Sequence, residues 1–177
     1  EALRTLAELA VPAVADQCIV DLLHGSTIER RALVLADPGL QDAARLLEGF
    51  APDIDSETPI AVAIRTGTTQ LTPHTEELPD SAYHSPEHRQ AVERIGLRSM
   101  VTVPMIVRGR TIGALTFGWR RPHAFGQDDI ELAAQLARRV GLALDNSALY
   151  QETHGERERL SALVRQLPPG VLIAEAP

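Results

Sequence analysis

The sequence predicts an α+β domain built around an antiparallel sheet. Two β-branched, apolar runs flank Arg108-Gly109 within RSMVTVPMIVRGRTIGALTFGW, the composition of a tight hairpin. An earlier pair of runs, QCIVDLLH and RRALVLA, brackets the turn-forming His24-Gly25-Ser26-Thr27. A long segment from about Asp128 repeats apolar or small residues in steps of three and four, which is a helical period.

Taken in order, Leu3, Leu6, Leu9, Ala10 and Ala13 give the first segment one apolar helical face, and Pro12 ends its regular part. Gln17–His24 reads as a strand, and Arg30–Ala36 returns antiparallel to it. Asp37-Pro38-Gly39 opens a helix to about Glu48, with Asp37 as the cap and Pro38 in the first turn. Phe50 to Thr58 is a loop. Thr58–Arg65 is a short helix stopped at Gly67, and Thr69–Thr72 a short strand. Pro73 to Pro86 is irregular and carries His74, Glu76, Glu77, Asp80, Tyr83 and His84. Glu87–Ile95 is a helix with Gly96 beyond its end, and the hairpin follows. The last long helix runs to at least Tyr150, with a modest seam at Ala133, Leu136, Val140, Ala143, Ser147 and Tyr150. QETHGERER (151–159) is a polar linker, helical or frayed, and Leu160 to Leu167 restarts a helical pattern.

Composition narrows the function. The 177 residues suit one domain plus appendages, and 44 % hydrophobic content supports a core. A net charge of −7 argues against nonspecific nucleic-acid binding, which needs a basic footprint. All 17 basic residues are arginine, the bias of a GC-rich genome. One cysteine, Cys18, excludes an intrachain disulfide framework and a multi-cysteine zinc site. No apolar run approaches the roughly 20 residues of a spanning helix, so no membrane partner is expected within the chain. Starting at Glu1 and stopping in a fresh apolar run, the chain reads as a piece of a larger cytoplasmic protein.

Four stretches, in order, resemble the GAF family. DLLHG is similar to its first strand and AIRTGTTQLTP to its helix–Gly–strand step. GLRSMVTVPMIVRGRTIGALTFGW is similar to its central hairpin, and FGQDDIELAAQLARRVGLALDNSALY to its closing helix. The resemblance covers 1–152 and implies an antiparallel sheet with the terminal helices on one face and pocket-enclosing loops and short helices on the other. LSALVRQLPPGVLIAEAP resembles the beginning of a PAS domain, so 153–177 is expected to be a linker and the start of a second module. This order implies a bacterial, actinobacterial-type multidomain sensor. A sensor histidine kinase is the expected parent, and a serine/threonine phosphatase or diguanylate cyclase the alternative. A roadblock-type or profilin-like sandwich is the competing fold.

The chain lacks a G-x-S-x-G nucleophile motif and a P-loop, so it is not expected to be an enzyme. Cyclic-nucleotide-binding GAF domains carry Asn-Lys…Phe-x-x-x-Asp-Glu. Phe125 and Asp129 match its end, but Ile130 replaces the Glu and the Asn-Lys pair is missing. Bilin-binding members use a cysteine late in the domain, whereas Cys18 lies in the first strand. Haem-binding members use a histidine; His84 and His88 stand four apart, but Pro86 between them disfavours one helix through both. No metal site or required cofactor is expected.

An unidentified small molecule is the expected ligand, in an apolar pocket lidded by the irregular segment. Tyr83 and His84 are expected to face in. Met100, Thr102 and Pro104, or instead Val101, Val103 and Met105, would form the floor, since alternation does not say which set faces the pocket. Trp119 either stacks on a ligand or covers the core. Self-association and relay are expected along Leu136, Val140, Ala143, Ser147 and Tyr150, and a ligand-free dimerisation module is the rival reading.

Overall fold

The structure, a computed structural model, describes residues 2–166, with side chains described from Leu3 to Ser147. The chain divides into two units, Glu1–Gly141 and Leu142–Pro177. The first unit holds α1 (Ala2–Ala10), β1 (Gln17–His24), β2 (Thr27–Leu35), α2 (Gln41–Glu48), α3 (Pro59–Thr66), β3 (Gln70–Thr72), α4 (Pro86–Ile95), β4 (Ser99–Val107) and β5 (Arg110–Trp119). It ends within α5 (Gln127–Gln166). The five strands order as β2-β1-β5-β4-β3, every neighbouring pair antiparallel. The expected α+β architecture is therefore present.

Local chemistry explains the element ends. Asp37 accepts a hydrogen bond from Gly39 N–H at 2.9 Å, but it caps a 3₁₀ turn (Pro38–Leu40) that leads into α2, where one helix is expected from the sequence. Thr58 and Ser85 cap α3 and α4, each followed by proline at a position that has no N–H to satisfy. Gly67 and Gly96 close those helices in the left-handed conformation, with φ of 66° and 71°. In the β4–β5 turn Arg108 and Gly109 both have positive φ, 50° and 74°, which matches the right-handed twist of the strands.

Strand alternation divides the core in two. Ile19, Leu33 and Leu35 of the strands pack with Ala43, Ala44, Leu47, Ala91 and Ile95 from α2 and α4 on one face of the sheet. Ala114 on the same face meets Ile28, Ala61 and Ile64, bringing in α3. On the opposite face Cys18, Val20, Leu115 and Phe117 lie against Leu3, Leu6, Ala7 and Ala10 of α1 and Leu136 and Val140 of α5. Gly141 continues that packing: a Cβ there would come within 3.0 Å of Val107 and 3.7 Å of Met105. Gly113 is where β5 presses most tightly on β1, since a Cβ would sit 2.2 Å from the Asp21 carbonyl oxygen.

This division alters the reading of the closing helix. Leu136 and Val140, expected in a seam between copies, pack instead inside the first unit, and Val140 is 7 % exposed. Sequence spacing marks an apolar face but not what covers it. In the second unit α5 runs through 151–159, the expected linker, to Gln166. Ala143 and Ser147 are exposed, and the Ser147 hydroxyl donates to the Ala143 carbonyl at 2.9 Å. Tyr150 lies on α5 in a stretch whose side chains are outside those described, and the last part of the PAS-like stretch, 167–177, is outside the described residues altogether.

Candidate ligand pocket

The face of the sheet that carries α2, α3 and α4 holds a cavity of about 120 Å³. Its floor comes from β1, β2 and β4, through Gln17, Ile19, Arg30 and Met100. Leu47 of α2, Phe50 and Pro52 of the following loop, and Thr58, Pro59 and Ile60 at the start of α3 form one wall. Thr75, Leu78, Ala82, Tyr83 and His84 from the irregular segment form the lid, and His88, Val92 and Ile95 of α4 with Leu97 complete it. Gly118 makes room for the last of these, because a Cβ there would come 2.8 Å from the Leu97 side chain.

Tyr83, His84 and Met100 thus line one cavity. Thr102 shares the face of Met100 but lies outside the lining. It is fully buried, and its hydroxyl pairs with that of Thr116 at 3.0 Å across β4 and β5. Two of the expected site residues sit on the other face. Met105 is buried toward α5. Trp119 covers the end of the core, with its indole N–H donating to the Val14 carbonyl at 3.1 Å and its ring 5.8 Å from Phe125. Between the two floors left open by the alternation, the set containing Met100 is the one that faces the cavity.

Two polar groups of the lining, Gln17 and Arg30, are placed by the strands, and Asp21 lies beneath the second. Asp21 and Arg30 stand opposite each other in the β1–β2 register. The Arg30 guanidinium donates to the Asp21 carboxylate at 3.0 and 3.4 Å and to the Leu47 carbonyl at 2.9 Å. Burial drives the Asp21 carboxyl above its ordinary range, and the adjacent Arg30 opposes that shift. Asp21 is 0 % exposed, so the pair is a desolvated one, joining sheet to α2.

Around α4 an aromatic group closes the lid. The Phe50 ring stacks on His84 at 5.8 Å and tilts toward His88 at 5.0 Å, while Tyr83 carries the Arg89 guanidinium 4.9 Å above its ring. His88 Nδ1 accepts the His84 backbone N–H at 3.3 Å, so its ring proton resides on Nε2. Burial, then the neighbouring His84 and Arg30 charges, lower the His88 pKa to about 4, so the ring is neutral at pH 7.

Sequence reasoning missed Gln17, Arg30 and Phe50 and saw His88 only as a possible haem ligand. For Arg30 a signal was present. A turn at His24–Thr27 pairs positions whose numbers sum to 51, which sets Asp21 against Arg30. Among the described residues no group of three or more His, Cys, Asp and Glu is placed to hold a metal ion. The cavity is also well below the ~300 Å³ from which sites for drug-sized ligands start, so a haem does not fit it.

The model of the GAF domain family matches residues 1–144. This chain belongs to the GAF family. No curated protein matches it in sequence. Its fold is shared with a domain of a protein described as a two-component sensor histidine kinase from Sinorhizobium meliloti 1021, at 18 % identity and a TM-score of 0.60, covering 86 % of this chain and 95 % of that one. The GAF domain of a phosphoenolpyruvate-protein phosphotransferase from Coxiella burnetii is similar at 15 % identity and a TM-score of 0.66, covering 85 % and 84 %. So is a type II free methionine-R-sulfoxide reductase from Thermoplasma acidophilum, at 13 % identity and a TM-score of 0.56, covering 79 % and 87 %. One GAF fold therefore occurs in proteins of quite different description, and function must be argued from the site. No helix among the described residues is long and apolar enough to cross a membrane.

Proposed function

We propose that this GAF domain is the sensing part of a signal-transduction protein, binding a small molecule in the cavity and passing its occupancy to α5. The division of roles across the sheet carries this reading: the cavity rests on one face of β1, β2 and β4, while α1 and the start of α5 pack on the other face of the sheet, against β1 and β5. Alternate residues of the same strands touch each side, Met100 below the lid and Met105 near Gly141. A ligand shifts α5 only as far as it binds one arrangement of these strands better than another. The Sinorhizobium neighbour makes a sensor histidine kinase the favoured parent.

No catalytic step is assigned to the domain, although the sulfoxide reductase shares its fold. Reduction by a thiol needs an accessible thiolate. Cys18 lies on the α1 face, away from the cavity, and burial pushes its pKa up to about 12. That placement also leaves no thiol in the cavity for covalent attachment of a chromophore.

Self-association belongs to the proposal as well. Among the described residues of the first unit, Leu6 and Leu9 of α1, 42 % and 73 % exposed, and Leu132 of α5, 40 % exposed, are the large apolar side chains that these two helices leave uncovered. They, not Leu136 and Val140, are the residues through which copies would meet.

Native mass spectrometry of the chain purified without added ligand, set against its denatured mass, tests the reading. A noncovalent excess that disappears on denaturation is expected. An unliganded mass, together with no thermal stabilisation by any member of a small-molecule library, would contradict it.

A further inference from the structure

Gln17 lines the cavity and is 3 % exposed, yet its side-chain Oε1 has no hydrogen-bond partner. Among the described residues it is the one buried side-chain nitrogen or oxygen left in that condition. A buried acceptor without a donor has lost its hydration and gained nothing in return, so such atoms are rare in native proteins. The positions beside it in the sheet, Leu35 on β2 and Gly118 on β5, bring no polar side chain to it.

Arg30, Thr75 and Thr58 of the same lining are, by contrast, engaged. Arg30 is held by Asp21 and the Leu47 carbonyl, Thr75 donates to the Leu97 carbonyl at 2.6 Å, and Thr58 accepts from Ala61 N–H. Charge in the lining is also balanced. The Arg30 guanidinium meets the Asp21 carboxylate at two contacts, and His88 is neutral at pH 7. An ionised guest would therefore shed water without meeting a free counter-charge.

We propose that the cavity takes a small neutral molecule, about one ring in size, whose N–H or O–H donates to Gln17 Oε1 while its apolar body lies against Ile19, Ile95, Leu97 and Met100. This rests on the sensing role proposed above and specifies its ligand. The volume sets the size: about 120 Å³ is slightly less than the roughly 150 Å³ of an apolar protein cavity that accepts benzene. The orphaned acceptor sets the donor, and the balanced lining sets neutrality.

The test is calorimetric titration of the full chain with phenol, toluene and sodium benzoate, repeated on Gln17→Leu, which removes the acceptor at similar volume. Phenol is expected to bind wild type about tenfold more tightly than toluene, and benzoate more weakly than phenol. Gln17→Leu is expected to erase the preference for phenol over toluene and to raise the ligand-free unfolding temperature by about 2–4 °C. Equal binding of phenol and toluene to wild type, or tighter binding of benzoate, would overturn the proposed ligand class while leaving the cavity a binding site. A preference for phenol that survives in Gln17→Leu would overturn the role of Gln17. Failure of all three probes, with no uptake of xenon under pressure, would overturn both this proposal and the sensing role. The wild-type comparison stands even if the variant does not fold.

Discussion

Burial of His88 beside Phe50 and His84 makes the stability of this domain depend on pH in a defined window. The ring titrates at about 4 in the folded chain and near its ordinary 6.5 when unfolded. Between those values the unfolded state binds more protons, so stability is full above about pH 6.5 and is lost as the pH falls toward 4. Asp21, whose carboxyl is raised by burial, acts with the opposite sign, so wild type alone does not isolate the histidine. His88→Asn keeps an acceptor for the His84 N–H and removes the titration. Denaturant unfolding at a series of pH values should show a smaller loss between pH 6.5 and 4 for the variant; parallel curves would remove His88 as the cause. Gln17 and Arg30 show why single residues escaped sequence reading. A glutamine, an aspartate and an arginine on alternate strand positions look like a solvent face, and only helices α2 and α4 laid over them make that face an interior.

Elements were far more legible, because their ends are set by local chemistry. Thr58-Pro59, Ser85-Pro86, Gly67, Gly96 and Arg108-Gly109 each mark a boundary through a cap or a backbone angle that needs no tertiary contact. The bulge between Val20 and Asp21 shows the limit of such rules, since the register with β2 slips there for reasons the strand's own residues do not announce. Facing was the other limit. Alternation divides β4 into two sets, but helices from opposite ends of the chain decide that Met100 faces the cavity and Met105 the α5 side. One cap carries weight beyond its helix: Ser85 Oγ accepts the backbone N–H of His88 at 3.1 Å, fixing the turn that places that ring in the lid. Ser85→Ala should cost about 1 kcal/mol, and Ser85→Gly only a few tenths, read as a shift of denaturant midpoint at constant slope. Equal losses for the two would mean that the cap is not what holds α4 in place.

On the scale of the molecule, the sheet is the one body shared by the cavity and the closing helix. Thr102 and Thr116, joined at 3.0 Å and buried between them, tie the two central strands on the cavity face. On the reverse face Val101, Val103, Met105 and Phe117 are all at most 1 % exposed, beneath α1 and the start of α5. Close-packed side chains of this kind transmit small displacements, because a filled interior has no slack to absorb them. In the proposed sensing role, filling the cavity reaches α5. Hydrogen exchange along the chain, with and without saturating phenol, tests it most directly. Slower exchange across 75–88, accompanied by altered exchange in the first turns of α5, is the predicted result. Protection confined to the lid and α4, with α5 unchanged, would contradict it.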